Sequence, residues 1–480
     1  MPCELTCWRS SESLPQSSAD WTVYGATRRI ALILLLLALF ALSLAAQQPR
    51  FAELDAVIQA ELEQTKTPGA VVAIVQGDKL VYNKGFGWAN VESRQPVTPD
   101  MIFRIGSMTK MYTAATLLTL AEEGKIDLHV PIGKYITGLP PRLSAVTAHQ
   151  LITHTAGLLD RATMVGAHDE AKLAEAVQAY QDSLFFTEPG EVFSYANPGW
   201  NIAGVLSEKI TGEAYSKAMD NRILKPLGMN HTTMHPTIAM TYPLSVGHIG
   251  DAGKPAQVNR PIEDNTRDWP AGFLFSTSSD LARFAIAFMN GGRIDGKQAL
   301  SEKIIAQMSG TYAPMHSQIE NGSYGYGLMS LSERGVQLIE HGGTMSGFAS
   351  DFVMAPAQRV AVIVLANRRF HLMKTVNKAL DVMLPFTPKP AAPKPLDVTA
   401  SECDEYVGIY MQTAAKVEIV KEGSGLVLKQ NGTVPLTKIG KDTFTAMFPG
   451  FTEPLRVAFV RGKDGKVKYF HARLRAYKRQ

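Results

Sequence analysis

Short runs with strand-like patterning occur near the start of this chain and again in its last third, and the stretch between them has helical spacing. Positions 51–63 carry apolar residues at helical spacing, and Val71 to Val75 and Leu80 to Phe86 are β-rich runs on either side of Gly77-Asp78. This predicts a helix followed by a hairpin. A strand-like stretch from Ile102 to Gly106 then runs into a helical pattern in which Ala114, Ala115, Leu117, Leu118, Leu120 and Ala121 predict burial. Glu122-Glu123-Gly124 closes that helix, the glycine supplying a left-handed cap. From Leu128 to about Arg260 the chain is rich in helix and loop, and strand-like runs return at Val336 to Glu340, Phe348 to Met354 and Val360 to Ala366. Paired with the early hairpin, these runs build one antiparallel sheet from both ends of an α/β (α+β) domain, with helices flanking it and a helical region beside it.

Between Pro385 and Pro395 the sequence FTPKPAAPKP predicts a semi-rigid extended linker. Beyond it, Tyr406 to Tyr410, Lys416 to Val420, Leu426 to Lys429, Thr443 to Met447, Leu455 to Val460 and Val467 to Leu474 are strand candidates at turn-separated spacing. They predict a small all-β barrel or sandwich. Arg28 and Arg29 precede an apolar run from Ile30 to Leu44 that ends in small residues, the pattern of a secretory signal peptide. The expected division is a leader over 1–46, a first domain over 47–385, a linker over 386–397 and a β domain over 398–480.

The run from Ile30 to Leu44 is short for a membrane span of ~20 residues, so export to the periplasm or medium is expected. An uncleaved leader that anchors the chain in a membrane is the alternative. Of the chain's 480 residues 45% are hydrophobic, ample for a large core. A net charge of +4 gives no reason to expect nucleic acid as a partner. The basic tail from Arg461 to Arg479 alternates with apolar residues and predicts a strand with a solvated basic face. Cys3 and Cys7 fall in the leader, which leaves Cys403 alone and no intramolecular disulfide. The chain has no CxxC pair, HExxH, phosphate loop or Gly-x-Ser-x-Gly elbow, so metal, nucleotide cofactor and α/β-hydrolase chemistry are not expected.

Ser107-Met108-Thr109-Lys110 is the only Ser-x-x-Lys in the chain. On a helix, residues three apart share a face, so Lys110 can reach the Ser107 hydroxyl, and an amine kept neutral by burial can serve as its base. The spacing alone is equally that of a capping serine and a surface lysine. Tyr195-Ala196-Asn197, in FSYANPGWNIAG, can set a phenol beside a carboxamide, though such pairs also serve ordinary turns. His341-Gly342-Gly343-Thr344 follows a strand-like run, and paired glycines there let a substrate approach a sheet edge whose N–H groups can hold an oxyanion. His154, in LITHTAGL, is a candidate general base but reads more simply as a satisfied structural histidine, and Trp200, Trp269 and Phe273 read as core or as lining of an acyl pocket.

In order and wording, FRIGSMTKMYTAATLLTLAEEGKIDL, LITHTAGL, FSYANPGWNIAG, ILKPLGM, STSSDLARF, YGYGL and HGGTMSGF resemble the serine β-lactamase-like superfamily. That superfamily includes class C β-lactamases, penicillin-binding DD-peptidases, D-aminopeptidases and related carboxylesterases. The resemblance runs from about Phe51 to Pro385 and implies a β-lactamase/DD-peptidase-like fold. It further implies Ser107 as acylated nucleophile, Lys110 as its activator and Tyr195 as proton shuttle. Asn197 would hold the substrate's acyl side, with His341, Gly342 and Gly343 lining the substrate, and the backbone N–H groups of Ser107 and Thr344 would form an oxyanion hole. The implied substrate is a small ester or peptide, cleaved without metal or cofactor. β-Lactamases usually carry Lys where this chain has His341, so weaker carboxylate anchoring and poorer β-lactam hydrolysis are expected. A sensor that stays acylated is the alternative to an enzyme. Residues from about Ser401 to Gln480 resemble the lipocalin-like domain of some CubicO-type serine peptidases, expected to restrict access to the site or to mediate homo-oligomer formation.

Overall fold

The computed structural model describes residues 51–480 except 252, 318–320, 413, 414, 431, 450 and 452. The leader expected over 1–46, with Cys3 and Cys7, lies outside the described residues. Residues 51–65 are helical, and the hairpin follows as β1 (Gly69–Gln76) and β2 (Lys79–Asn90), turning at Gly77 with φ +62°. A short β3 (Gln95–Pro96) edges the sheet. The late strands are β4 (Ala313–Pro314), β5 (Ser323–Tyr324), β6 (Met329–Glu333), β7 (Val336–Met345), β8 (Phe348–Ala355) and β9 (Val360–Ala366).

The sheet runs β4-β5-β6-β7-β8-β9-β1-β2-β3, and every neighbouring pair is antiparallel. The two ends of the domain therefore meet inside the sheet, where Ala73 faces Ile363 across the β1–β9 ladder. Both strands are buried on both faces, which is why their sequences read as continuous Val, Ile and Ala rather than as an alternation. On the helical side, α1 (Thr109–Glu122) is buried nearly all round and α2 (Pro198–Thr211) packs against it. The predicted stop of α1 is present, with Gly124 at φ +70°. Two further helices flank the sheet: α3 (Ser278–Met289), capped by the Thr277 side chain, and α4 (Met373–Met383), which lies on β9.

After 385–399, which hold no regular element, eight strands close into an antiparallel barrel. They are β10 (Gly408–Gln412), β11 (Ala415–Glu422), β12 (Gly425–Lys429), β13 (Thr433–Gly440), β14 (Thr443–Ala446), β15 (Leu455–Arg461), β16 (Val467–Ala472) and β17 (Arg475–Arg479). Closure comes from β10 pairing with β17. Tyr406, expected to begin the first of these strands, instead ends a short helix, Ala400–Tyr406. Thr399 and Glu402 form a capping box there, a Thr-x-x-Glu signal that the strand reading passed over.

Asn367, fully buried just past β9, ties the sheet to its surroundings. Its carboxamide oxygen accepts from the Gly69 N–H at 2.8 Å, and its Nδ2 donates to the Trp88 and Ala89 carbonyls at 2.8 and 3.3 Å. Asn367→Ala takes the partner from the Gly69 N–H and the Trp88 carbonyl, at about 1–3 kcal/mol for each buried group left unpaired, while the Ala89 carbonyl keeps the Val246 N–H at 3.1 Å. The urea midpoint is expected to fall accordingly, and an unchanged midpoint would show that the neighbouring backbone re-pairs without help.

Candidate active site

Ser107 occupies the tight turn Gly106–Met108 that opens α1. Gly106 has φ +52°, and a Cβ on it would lie 2.7 Å from the Thr344 backbone nitrogen. Across this junction a Cβ on Gly343 would lie 1.9 Å from the Ile105 carbonyl oxygen, so glycine is required on both sides. Strand β7 is thereby pressed edge-on against the serine turn, and Ser350 on β8 donates to the Ile105 carbonyl at 2.8 Å. Paired with β8 as far as Met345, β7 carries His341 to Thr344 within the strand, not just past its end.

One turn along α1, the Lys110 side chain is fully buried. Its Nζ is 3.0 Å from Ser107 Oγ and 2.8 Å from Asn197 Oδ1, and it also bonds the Ala271 carbonyl. Loss of hydration pulls the amine down to about 7, Asp160 and Asp268 opposing the shift and Arg475 adding to it. Carbonyl oxygens can only accept. A neutral amine therefore gives its two hydrogens to Asn197 and Ala271 and turns its lone pair to the Ser107 hydroxyl.

Tyr195 reaches the same point from the other side, its phenol hydrogen-bonded to Ser107. Burial holds that phenol well above its ordinary range, so near neutral pH it carries its proton while the lysine can shed one. The Tyr195 ring stacks on His154, with centroids 4.1 Å apart, and Lys110 Nζ lies 4.9 Å from the ring centroid. His154 is buried with φ +58°, its Nδ1 2.9 Å from the Ala196 N–H and its Nε2 3.1 Å from the Trp200 indole, which leaves no nitrogen free for Ser107. Trp200, Trp269 and Phe273 belong to the core.

Asn197 stands at the start of α2 with its carboxamide engaged inside the protein. Asp160 Oδ1 accepts from both its backbone N–H and its Nδ2, at 3.0 and 2.9 Å. His341 is buried and neutral: loss of hydration, with the Lys110 charge adding to it, draws the ring to about 3. Its Nδ1 bonds the Gly342 carbonyl at 2.6 Å and its Nε2 the Tyr324 hydroxyl at 3.0 Å. Position 341 offers no cation.

Sequence reasoning missed Asp160, Arg475 and His371. His371 lies beside Gly342: its Nε2 is 2.8 Å from Thr344 Oγ1 and its Nδ1 2.7 Å from Asp351 Oδ1. Burial opposes its charge, but Asp351 outweighs that and raises the histidine above its ordinary value. No motif marks these residues: Asp160 and Arg475 gain their meaning from each other across 315 positions, and His371 from Asp351 on a neighbouring strand. Among the described residues, no group of His, Cys, Asp and Glu could hold a metal, and no helix is long and apolar enough to cross a membrane.

A family model described as Beta-lactamase matches residues 54–381. Protein flp of Staphylococcus aureus (strain N315) is 26% identical over 321 residues, 66% of this chain and 62% of its own length. The chain thus spans less than two thirds of that relative. Penicillin-binding protein 4 of Amycolatopsis lactamdurans is 28% identical over 357 residues, 69% of this chain and 91% of its own. Among solved structures, the crystal structure of SurE superposes with a TM-score of 0.71 at 24% identity, over 91% of this chain and 100% of that one. The octameric penicillin-binding protein homologue from Pyrococcus abyssi gives 0.64 at 26% identity, over 89% and 99%. The SurE likeness is one of fold.

The neutral form of Lys110 exists above about pH 7 and is lost as the pH falls through that value. The rate of acylation by a nitrophenyl ester is expected to follow it, with an acidic limb near pH 7. Glu340 on β7, raised to about 7 by burial and by Asp351, could give a similar limb. Glu340→Gln should leave the limb in place, and a limb that vanishes in that variant would assign it to the carboxyl.

Proposed function

We propose that this chain, which belongs to the Beta-lactamase family, is an exported serine hydrolase that cleaves esters or amides through a covalent ester on Ser107. The observation that carries the reading is the Lys110 amine, buried, lowered to about 7 and held 3.0 Å from Ser107 Oγ by two acceptor-only partners. On this reading Ser107 Oγ attacks the acyl carbon as its proton passes to Lys110. The bond to the leaving group then breaks, and Tyr195 hands that group a proton. The proton on Lys110 passes to Tyr195 and restores both groups. In the second half one of them takes a proton from the water that attacks the acyl carbon, and that proton goes to Ser107 Oγ as its bond to the acyl carbon breaks and the acid leaves. The backbone N–H groups of Ser107 and Thr344, brought together by Gly106 and Gly343, would receive the oxyanion. Removing one such donor typically costs ~10²–10³ in turnover.

Substrate preference follows from His341. A carboxylate beside Gly342 would find a neutral imidazole there, which favours esters and peptides over β-lactams as substrates. The relatives named for penicillin binding make acylation by penicillin, and DD-peptidase or D-aminopeptidase activity, the readings to test against this one. The C-terminal barrel is read as lipocalin-like, and the octameric homologue makes homo-oligomer formation part of the proposal.

Fluorophosphonate labelling, followed by intact mass, tests the nucleophile: Ser107→Ala is expected to abolish the adduct with no change in the thermal midpoint. Retained labelling would remove Ser107 from the chemistry. Short-chain esters, D-amino-acid amides, D-Ala-D-Ala peptides and a chromogenic cephalosporin are then compared on one preparation, with esters or amides expected to turn over fastest. A persistent stoichiometric adduct with every compound would make the protein a sensor.

A further inference from the structure

We infer that the C-terminal barrel completes the active site, with Arg475 as a positioning residue that acts through Asp160 and Asn197 on Lys110. The inference rests on the reading of Ser107, Lys110 and Tyr195 as the reacting groups. The β16–β17 hairpin turns at Arg473 and Leu474, both at positive φ, and the Leu474 side chain packs against the hydrolase core. Its carbonyl accepts from the Tyr195 N–H at 2.9 Å, so the barrel's tip holds the tyrosine's own backbone. The residues before Tyr195 are held in the same way. Ser194 Oγ accepts from Gln412 Nε2 on β10 at 3.1 Å and from the Ala476 N–H on β17 at 3.2 Å. His471 on β16 sets its Nε2 3.1 Å from the Phe193 carbonyl.

Arg475 carries the contact into the site. Its Nε donates to Asp160 Oδ2 at 3.0 Å and its Nη2 bonds the same oxygen, while the guanidinium lies 4.8 Å from the centre of the Tyr195 ring. The other Asp160 oxygen holds Asn197, whose carboxamide oxygen takes a hydrogen from Lys110. One unbroken relay thus joins the barrel to the base: Arg475 to Asp160, Asp160 to Asn197, Asn197 to Lys110. Without the arginine, Asp160 loses the partner that fixes which oxygen faces Asn197. Asn197 can then turn, and the amine loses one of the two acceptors that aim its lone pair at Ser107. The expected signature is a fall in kcat with KM little changed, because the damage is to aim and not to binding.

Charge gives a second signature. The charged and titratable groups facing Lys110 are Asp160 and Asp268, which favour its ammonium, Arg475, which disfavours it, Tyr195 and the buried histidines 154 and 341. Removing the Arg475 cation should move the acidic limb of kcat/KM to higher pH, and removing the Asp160 anion should move it to lower pH. A purely structural contact would not produce opposite shifts.

The test uses full-length Arg475→Ala, Arg475→Lys and Asp160→Asn, with nitrophenyl ester turnover against pH and fluorophosphonate labelling of Ser107 on the same samples. Arg475→Ala is expected to lose roughly 10–100-fold in kcat, to recover part of it with added methylguanidinium, and to shift the limb upward. Asp160→Asn should shift it downward. Arg475→Lys keeps the charge but not the two-donor grip, so its limb should stay while kcat falls; it carries the test if Arg475→Ala does not fold. Wild-type kcat and limb position in both arginine variants, or limb shifts of the same sign in Arg475→Ala and Asp160→Asn, would overturn the inference. Wild-type protein that fails to label at Ser107 would instead overturn the reading on which it rests.

Discussion

An amine taken out of water into an apolar helix packing loses its hydration, and the neutral form gains at the expense of the ammonium. Lys110 sits on a helix buried almost all round, and nothing nearby cancels that loss in full. Asp160 and Asp268 favour the charge, but Asp160 is itself bound by Arg475, whose cation adds to the desolvation. The balance leaves the amine near the midpoint of its titration at neutral pH. Both of its forms are then accessible, as the proposed role of a base that takes and returns a proton requires. The same packing that excludes water also supplies acceptor-only neighbours, so burial sets the direction of the lone pair as well as the pKa.

The second constraint is backbone proximity. Gly106 and Gly343 meet where any Cβ would collide with a main-chain atom, and this brings the β7 edge against the serine turn. The join depends on long-range order. Ser107 and Thr344 are far apart in sequence and reach each other because β7 is joined through β8 and β9 to β1 in one sheet. Sheet topology and the geometry around Ser107 are one arrangement in this sense.

How much of this was legible before the structure follows from the range of the interactions involved. The hairpin at Gly77, the helix after Ser107, its stop at Gly124 and the late strands rest on local patterning, and all are present. The Ser107, Tyr195 and His341 segments were findable because each carries its own motif, and the fold brings all three together. The barrel was read in part. β13 alternates with exposed Thr433, Pro435 and Thr437, too polar to stand out, and β17 was hidden by a turn at Arg473 and Leu474 that has no glycine. Arg475 belonged to a tail read as a solvated basic face, yet it bonds Asp160, and Lys468 bonds Glu191 at 2.7 and 2.8 Å. A charge pattern states the sign of a side chain but not its partner, and here the partners lie hundreds of residues away.

The distribution of charge bears on the substrate as well. His341 is neutral, and Arg475 is tied to Asp160, so neither offers a free cation to an incoming carboxylate. His371 lies beside Gly342 with its charge supported by Asp351, and it bonds the Thr344 hydroxyl. Any anion it attracts would sit over the strand that carries the proposed oxyanion N–H, and the attraction would fade as rising pH discharges the ring. A permanent cation at 341 would act differently, holding a carboxylate at all pH values while further disfavouring the Lys110 ammonium nearby. Replacing it with a neutral imidazole gives up anchoring but leaves the base where Asp160, Asp268 and Arg475 set it. On the proposed reading, therefore, the barrel and the position-341 imidazole share a consequence: the chain keeps the acylating machinery while neither Arg475 nor position 341 anchors a substrate carboxylate by charge.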